Sequence, residues 1–390
     1  MELPKGQTLP GKLPRIAVIL PTTFGYGRAL QAGSMVWLAE HPAHEVLWFQ
    51  EGTPPVDMLR KWGVTGILGH FRPSAPVDPL LQLQVPIVNL SSQPQPAPVI
   101  TVCCDHEGLG RQAATYLFDR GVRNFAYLGL EGLSFSQQRQ AGFQKKFPTQ
   151  CAVLNLPKDM SHWLDLLKDW VLSLPQPCGV FCVGDNEARI LLTLCRTYGI
   201  RVPEDLLVLG CNNERDVCAS CHPTLSSVRA QARKIARTGL KWLTAMIQNG
   251  LKPNPRKIVI PSGPVEERGS TDLIFAVTDP QISAVLQFIQ KHHHEIMGVE
   301  DLLTVYPGSR RSLEQRFRKA LGRTPLEEIH RIKINLIKKA LRDTEDTLSE
   351  IANKCGLSGP GALGNFFRKH QGLSPQAFRK KLSRSLPRQK

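Results

Sequence analysis

The sequence predicts a two-lobed α/β unit followed by an all-α unit with two helix-turn-helix segments. Three observations carry that prediction. Between residues 15 and 249, short apolar runs alternate with helix-length amphipathic ones, the pattern of parallel strands buried on both faces. A stretch rich in Gly, Pro and Ser, residues 261–280, then interrupts the pattern. Beyond it the periodic segments are helical, and SRRSLEQRFRKALGRTP at 309–325 has an apolar stripe of Leu313, Phe317 and Leu321.

In chain order, residues 1–14 read as a flexible lead. RIAVIL at 15–20 is a buried strand, TTFGYG at 22–27 a loop, and 28–41 a helix. Strands follow at 46–49, 65–68, 86–89 and 99–102, with helices at 56–62 and 107–120. A second lobe begins at 125–129. It adds strands at 152–154, 179–184 and 207–210 and helices at 163–173, 187–198 and 230–249. Two such lobes with several crossovers enclose a cleft, and ligands bind at the carboxyl ends of the strands. Asp105, Asp185 and Asn212 follow strands directly, and Arg139 sits in the polar stretch QQRQAGF. Carboxylates, amides and a guanidinium suit a small polyol, since between them they accept from and donate to hydroxyls. Phe24 or Tyr26 can stack on the apolar face of a sugar ring. Asp and Asn are also common turn and cap residues, so loop chemistry is the alternative.

Residues 15–260 thus form the sensor-like unit, 261–278 the link, 279–385 the helical unit and 386–390 a basic tail. In the helical unit, 281–289 is a helix, and 299–305 with Pro307-Gly308 is a helix and turn placed just before Ser309. Ser309 can cap the next helix and Gly322 can end it. Arg311, Gln315 and Arg318 point away from the apolar stripe, with Glu314 at the edge of their face. Arg pairs with guanine and Gln with adenine in the major groove. Glu314 is a candidate for cytosine, and Arg310 and Lys319 belong to the same basic helix. A long helix at 325–342 leads to a second helix-turn-helix at 348–354 and 362–370. There Gly359, Pro360, Gly361 and Gly364 leave Asn365 as the base-reading residue and Arg368 and Lys369 for phosphate.

The charge balance agrees. The chain of 390 residues has a net charge of +16 and a pI near 9.6, which favours an anionic partner, most simply nucleic acid. From Asp279 onward 21 Lys and Arg stand against 11 Asp and Glu, so over half of the excess lies in under a third of the chain. The ten cysteines sit mostly in apolar runs, as buried free thiols of a reducing cytoplasm would. No secretory signal and no membrane-length apolar run is visible.

Several signals are set aside. Cys218 and Cys221 with His222 form one C-x-x-C without a second pair, so no metal is expected. His292, His293 and His294 span nearly a helical turn and cannot all face one ion. Asp165 and Asp169 lie on the exposed face of an amphipathic helix. There is no phosphate loop, no G-x-G-x-x-G and no nucleophile–base pairing, so neither an enzyme nor a cofactor is expected.

VCCDHEGLGRQAATYLFDRGVRNFAYLG, SFSQQRQAGF, GVFCVGDNEA, GIRVPEDLLVLGCNNE and HPTLSSV occur in the order found in LacI-type sugar-sensing domains, and residues 15–268 resemble them. Those domains are similar to periplasmic sugar-binding proteins. A LacI-type DNA-binding head would precede Arg15, where fourteen residues are too few for one. The C-terminal part resembles AraC-type DNA-binding domains. The carrying residues are Ser309-Arg310-Arg311, Leu313, Phe317, Gly322, Pro325, Ile351-Ala352, Gly356, Phe367, Gly372, Ser374-Pro375 and Phe378-Arg379. Sensor before reader, with VEERGSTD at the junction, resembles the XylR-like regulators of sugar operons. The loop TTFGYGR lacks the acidic residue those regulators carry near this point.

The resemblance implies a cytoplasmic, sugar-responsive transcription regulator. Its expected partners are a double-stranded DNA operator, a sugar effector, a second copy of the chain and, for an activator, RNA polymerase. No membrane is involved. The alternatives are a solute-binding receptor component, against which the absent export signal and the basic C-terminal third stand, and a sugar-modifying enzyme on the same scaffold, against which the absent catalytic constellation stands.

Overall fold

The computed structural model describes residues 13–384 except 51, 73–75, 94–98, 147–150, 251–255, 273–278, 296 and 345; for 339, 342, 343 and 381–384 it describes the backbone alone. The tail at 386–390 and all but the end of the lead lie outside the described residues. Two units divide between Thr271 and Asp272.

The first unit holds two six-stranded sheets. One contains β1 (Arg15–Ile19), β2 (Glu45–Phe49), β3 (Gly66–Gly69), β4 (Ile87–Asn89) and β5 (Ile100–Cys104). The other contains β6 (Asn124–Leu130), β7 (Cys151–Leu156), β8 (Cys178–Cys182), β9 (Leu206–Cys211) and β10 (Ser226–Val228). The sequence continues through β11 (Arg256–Ile260) into the first sheet and β12 (Val265–Glu266) into the second. The orders are β11-β5-β4-β3-β1-β2 and β12-β10-β9-β8-β6-β7. All pairings are parallel except β10 with β12. Every residue of β8 and β9 is buried, which is why both read as continuous apolar runs.

The backbone passes between the lobes after β5, after β10 and after β11. These passages are joined by backbone bonds: Asp105 donates to Ile260 (2.9 Å) and Gly263 to Arg229 (2.8 Å). The three passages place the strand ends of both lobes along one hinge.

Several sequence readings change. The first helix is Gly25–Glu40, beginning three residues before the expected start. Two early glycines weaken a helix in isolation, but packing decides here: a Cβ on Gly27 would lie 1.6 Å from the Pro21 carbonyl oxygen. Strand β11 was not read at all, because it is an edge strand with exposed polar residues. Residues 261–271, read as link, are built into the second lobe. The Ser270 hydroxyl donates to Val208 (2.6 Å), Arg268 Nη2 donates to Asn213 Oδ1 (2.7 Å), and Arg120 Nε donates to the Thr271 carbonyl (2.9 Å). Residues 273–278 lie outside the described residues.

The second unit has helices at Pro280–Lys291, Val299–Leu302, Arg310–Leu321, Pro325–Asp343, Leu348–Lys354, Pro360–Gln371 and Pro375–Arg384. The helix at 299 stops at Leu302, shorter than expected. Leu313, Phe317 and Leu321 are buried together with Ile282, Val285 and Leu302 in one core. Ile337, Leu341, Ile351, Leu363 and Phe367 belong to a second core. Helix Pro325–Asp343 serves both. Thr324 and Glu327 close its start: the Thr324 hydroxyl accepts from Glu327 N (3.2 Å), and the Glu327 carboxylate accepts from Thr324 N (2.7 Å). Among the described residues no helix is long and apolar enough to cross a membrane.

Candidate functional site

A pocket of about 580 Å³ opens between the lobes, lined from one side by Phe24, Tyr26 and His70 and from the other by Phe135, Arg139 and Glu187. Arg139 projects from helix Ser134–Gln144 and is 3% exposed. Its Nε donates to His106 Nδ1 (3.2 Å), one Nη to the Val183 carbonyl, and Nη2 to Asn212 Oδ1 at the long limit of 3.4 Å. These partners are all uncharged. The guanidinium lies over the Phe135 ring, 5.2 Å from its centre. Arg139 is therefore held by the protein at several points and still faces the pocket.

The imidazoles around it are neutral. Burial, aided by the charge of Arg72, pushes His70 down to about 4. Burial and the Arg139 charge hold His106 well below the usual histidine range. His70 Nδ1 is buried and has no hydrogen-bond partner among the described residues. It also takes the edges of Phe24 and Tyr26, each with ring centres 5.9 Å away. An unpaired neutral imidazole nitrogen between two aromatic rings is suited to a hydroxyl group beside a hydrocarbon face.

Asp185, 1% exposed, begins helix Asp185–Thr197. Its Oδ1 accepts from the Ser227 hydroxyl (2.6 Å) and its Oδ2 from Glu214 N (2.8 Å). Burial raises its carboxyl to about 7 against those bonds. Asp185 thus lines the pocket while shaping the loop after β9. That loop contains Asn212 and Asn213, at φ 104° and 57°. Successive left-handed asparagines are uncommon and turn the Asn212 amide toward Arg139. Burial also raises Glu187. Glu214 reaches across the cleft: its carboxylate meets Arg28 Nη2 of the first lobe at 2.5 Å and fills the space where Gly25 would carry a Cβ.

Of the six residues read as ligand contacts, Phe24, Tyr26, Arg139, Asp185 and Asn212 come together on this pocket. Asp105 does not line it. It caps helix His106–Phe118, accepting from Gly108 N (2.8 Å), and lies 3.8 Å from Arg111. His70, His106, Glu187 and Glu214 were missed. His70 follows β3 directly, so the strand-end rule used for the second lobe could have found it.

In the second unit, Ser309 caps helix Arg310–Leu321 by accepting from Ser312 N (3.2 Å), and Gly322 ends it at φ 70°. Arg316 fixes the helix to Asp279, its Nε and Nη2 donating to the carboxylate at 2.9 and 2.8 Å. Arg311, Gln315 and Lys319 are exposed, without a hydrogen-bond or ion-pair partner among the described residues. Arg310 is engaged by Glu300 (2.9 Å) and Glu314 (3.1 Å), which takes Glu314 partly out of use as an acceptor. In helix Pro360–Gln371, Asn365, Arg368 and Lys369 are exposed, and Gly361 and Gly364 face open space. A helix with a buried stripe and unpaired Arg, Gln and Lys outside it fits a major groove. Among the described residues no group of three metal-ligating side chains gathers, and Cys218 and Cys221 are free and buried.

Periplasmic binding protein-like domains match residues 114–271, and helix-turn-helix domains match residues 307–381. The chain is 27% identical over 369 residues to the xylose operon regulatory protein of Escherichia coli K12, covering 91% of this chain and 92% of that one. The protein of that name from Haemophilus influenzae matches at 27% identity, over 91% of this chain and 93% of its own. The solved structure of the xylose-binding transcription activator xylR aligns with a TM-score of 0.59 at 25% identity, over 94% of this chain and 98% of that one. A LacI family transcriptional regulator from Enterococcus faecium with bound ribose shares the fold of the first unit, with a TM-score of 0.56 at 20% identity, covering 66% of this chain and 98% of that one.

Proposed function

We propose that this chain, which has a sugar-binding sensor fold followed by an AraC-type DNA-binding domain as in XylR-like transcription regulators, takes xylose or a closely related pentose as its effector. The observation that carries the proposal is Arg139, a buried guanidinium held by neutral partners and facing the pocket beside the neutral imidazoles of His70 and His106. A neutral ring with alternating donors and acceptors suits that lining. Arg139 donates to ring or hydroxyl oxygen, Asn212 and Glu187 complement hydroxyls, and Phe24, Tyr26 and Phe135 supply apolar faces. The names of the full-length relatives point to xylose.

Effector binding favours the closed arrangement of the two lobes by its differential affinity for that arrangement. The change is passed to the reading unit, where Arg311 and Gln315 contact bases and Lys319, Arg368 and Lys369 contact phosphate. A homodimer in the cytoplasm places two such reading units on one operator, and activation would add contact with RNA polymerase. Titration calorimetry of the full chain with D-xylose, D-ribose and other pentoses tests the effector. The expected result is one pentose bound with heat and unit stoichiometry. Silence across the panel, from protein that still shifts DNA in a gel, rejects the pentose.

A further inference from the structure

We propose that Lys333 is a positioning residue for DNA reading, whose ammonium joins the two helix-turn-helix units into one rigid reader. It lies in helix Pro325–Asp343 at the boundary between the two cores: Ile329 and Ile332 pack into the first, Ile334 and Ile337 into the second. The side chain is 5% exposed. Its Nζ donates to the Gly356 carbonyl at 2.8 Å and to the Glu295 carbonyl at 3.2 Å. Glu295 lies in the loop after helix Pro280–Lys291, in the half of the helical domain that holds the first helix-turn-helix. Gly356 lies in the turn between Leu348–Lys354 and the second recognition helix. One ammonium therefore holds a backbone loop of each half.

The two loops also touch. Gly356 adopts φ 60°, and a Cβ there would lie 1.9 Å from the Glu295 carbonyl oxygen. Only glycine permits so close a backbone approach in that conformation. A helix alone connects two cores but leaves their relative tilt soft. The Lys333 bonds and the Gly356–Glu295 approach remove that freedom at a second point. Both partners of the ammonium are uncharged, and burial lowers its pKa. An apolar residue would be cheaper to bury, so the polar contact is best explained by the geometry it specifies. The recognition helices Arg310–Leu321 and Pro360–Gln371 are thereby set at a fixed offset, as two successive major-groove turns about 34 Å apart require.

The test uses the full chain and a duplex that the wild type selects from a random-sequence pool. Hydroxyl-radical footprinting of the wild type should show two protected windows about ten base pairs apart. Lys333→Met should keep the window under the first recognition helix, lose or smear the second, and bind about tenfold more weakly. Simple destabilisation fades both windows together, so that pattern overturns the proposal, as does retention of both windows at the wild-type offset. If Lys333→Met does not fold, Gly356→Ala is read in the same two ways, because it drives a methyl group into the Glu295 carbonyl while leaving Lys333 in place. A wild type that protects no DNA overturns the reading assignment itself, a result distinct from either variant pattern.

Discussion

Arg139 is the residue on which the proposed effector pocket turns. A hydrogen bond from a charged donor in an enclosed site contributes about 1.5–3 kcal/mol, so its loss costs at least about tenfold in affinity. Arg139→Ala is expected to weaken the pentose by that factor or more while DNA binding without sugar survives. Calorimetry beside a gel shift checks it, and unchanged sugar affinity would place the ligand elsewhere. Asp185 differs, because both of its oxygens already serve Ser227 and Glu214. Its carboxyl sits near 7, above the usual 3.8. A carboxyl raised on folding keeps its proton longer in the folded state. Its contribution to stability is thus full below about pH 4 and is lost as pH rises through about 7. Melting curves from pH 4.5 to 8 should show a decline that Asp185→Asn flattens; parallel curves reject the assignment. On the DNA side, Arg311→Ala and Gln315→Ala should each cost about 1–3 kcal/mol at the cognate site. Loss of Lys319 should weaken all DNA alike and reduce the salt slope. Wild-type affinity in Arg311→Ala removes the first helix-turn-helix as reader.

At the scale of elements, the two recognition helices are unequal. Helix Arg310–Leu321 presents long polar side chains, whereas Gly361 and Gly364 leave much of helix Pro360–Gln371 bare. Asn365→Ala is therefore expected to change base preference much less than Gln315→Ala. A base-substitution scan of the selected duplex decides, and equal information under both helices contradicts the asymmetry. The same elements show what the sequence could reveal. The stripe Leu313, Phe317, Leu321 was legible because a helix records its buried face locally, every three or four residues. Capping by Ser309 was legible for the same reason. Strand β11 was not, since its pairing with β5 is made by residues distant in sequence and its exposed edge dilutes the apolar signal. VEERGSTD has the composition of a link, yet its Ser270 and Thr271 are buried in the second lobe, Ser270 accepting from Ser226 N and Thr271 donating to the Ser226 hydroxyl. In the pocket, Arg139, Asp185 and Asn212 were found by motif and strand-end position. Glu214 was not, because its place opposite Gly25 exists only once the lobes face each other.

For the whole molecule, the claim is that a small sugar and DNA are linked through one chain. The Arg28–Glu214 pair spans the lobes at the pocket, so closure brings together charges as well as ligand contacts. Its Arg28 side chain is half exposed, and screening keeps its share small. The sugar supplies the remaining bias. Thermodynamic linkage then makes a strict demand: whatever factor the pentose applies to DNA affinity, DNA applies to pentose affinity. The most direct test measures both on the full chain, by fluorescence anisotropy of a labelled selected duplex with and without saturating D-xylose, and by calorimetry of D-xylose with and without saturating duplex. The account predicts the same factor in both directions, about fivefold or more, and its disappearance in Arg139→Ala at sugar concentrations that saturate the wild type. DNA affinity indifferent to every pentose that the protein binds would contradict it.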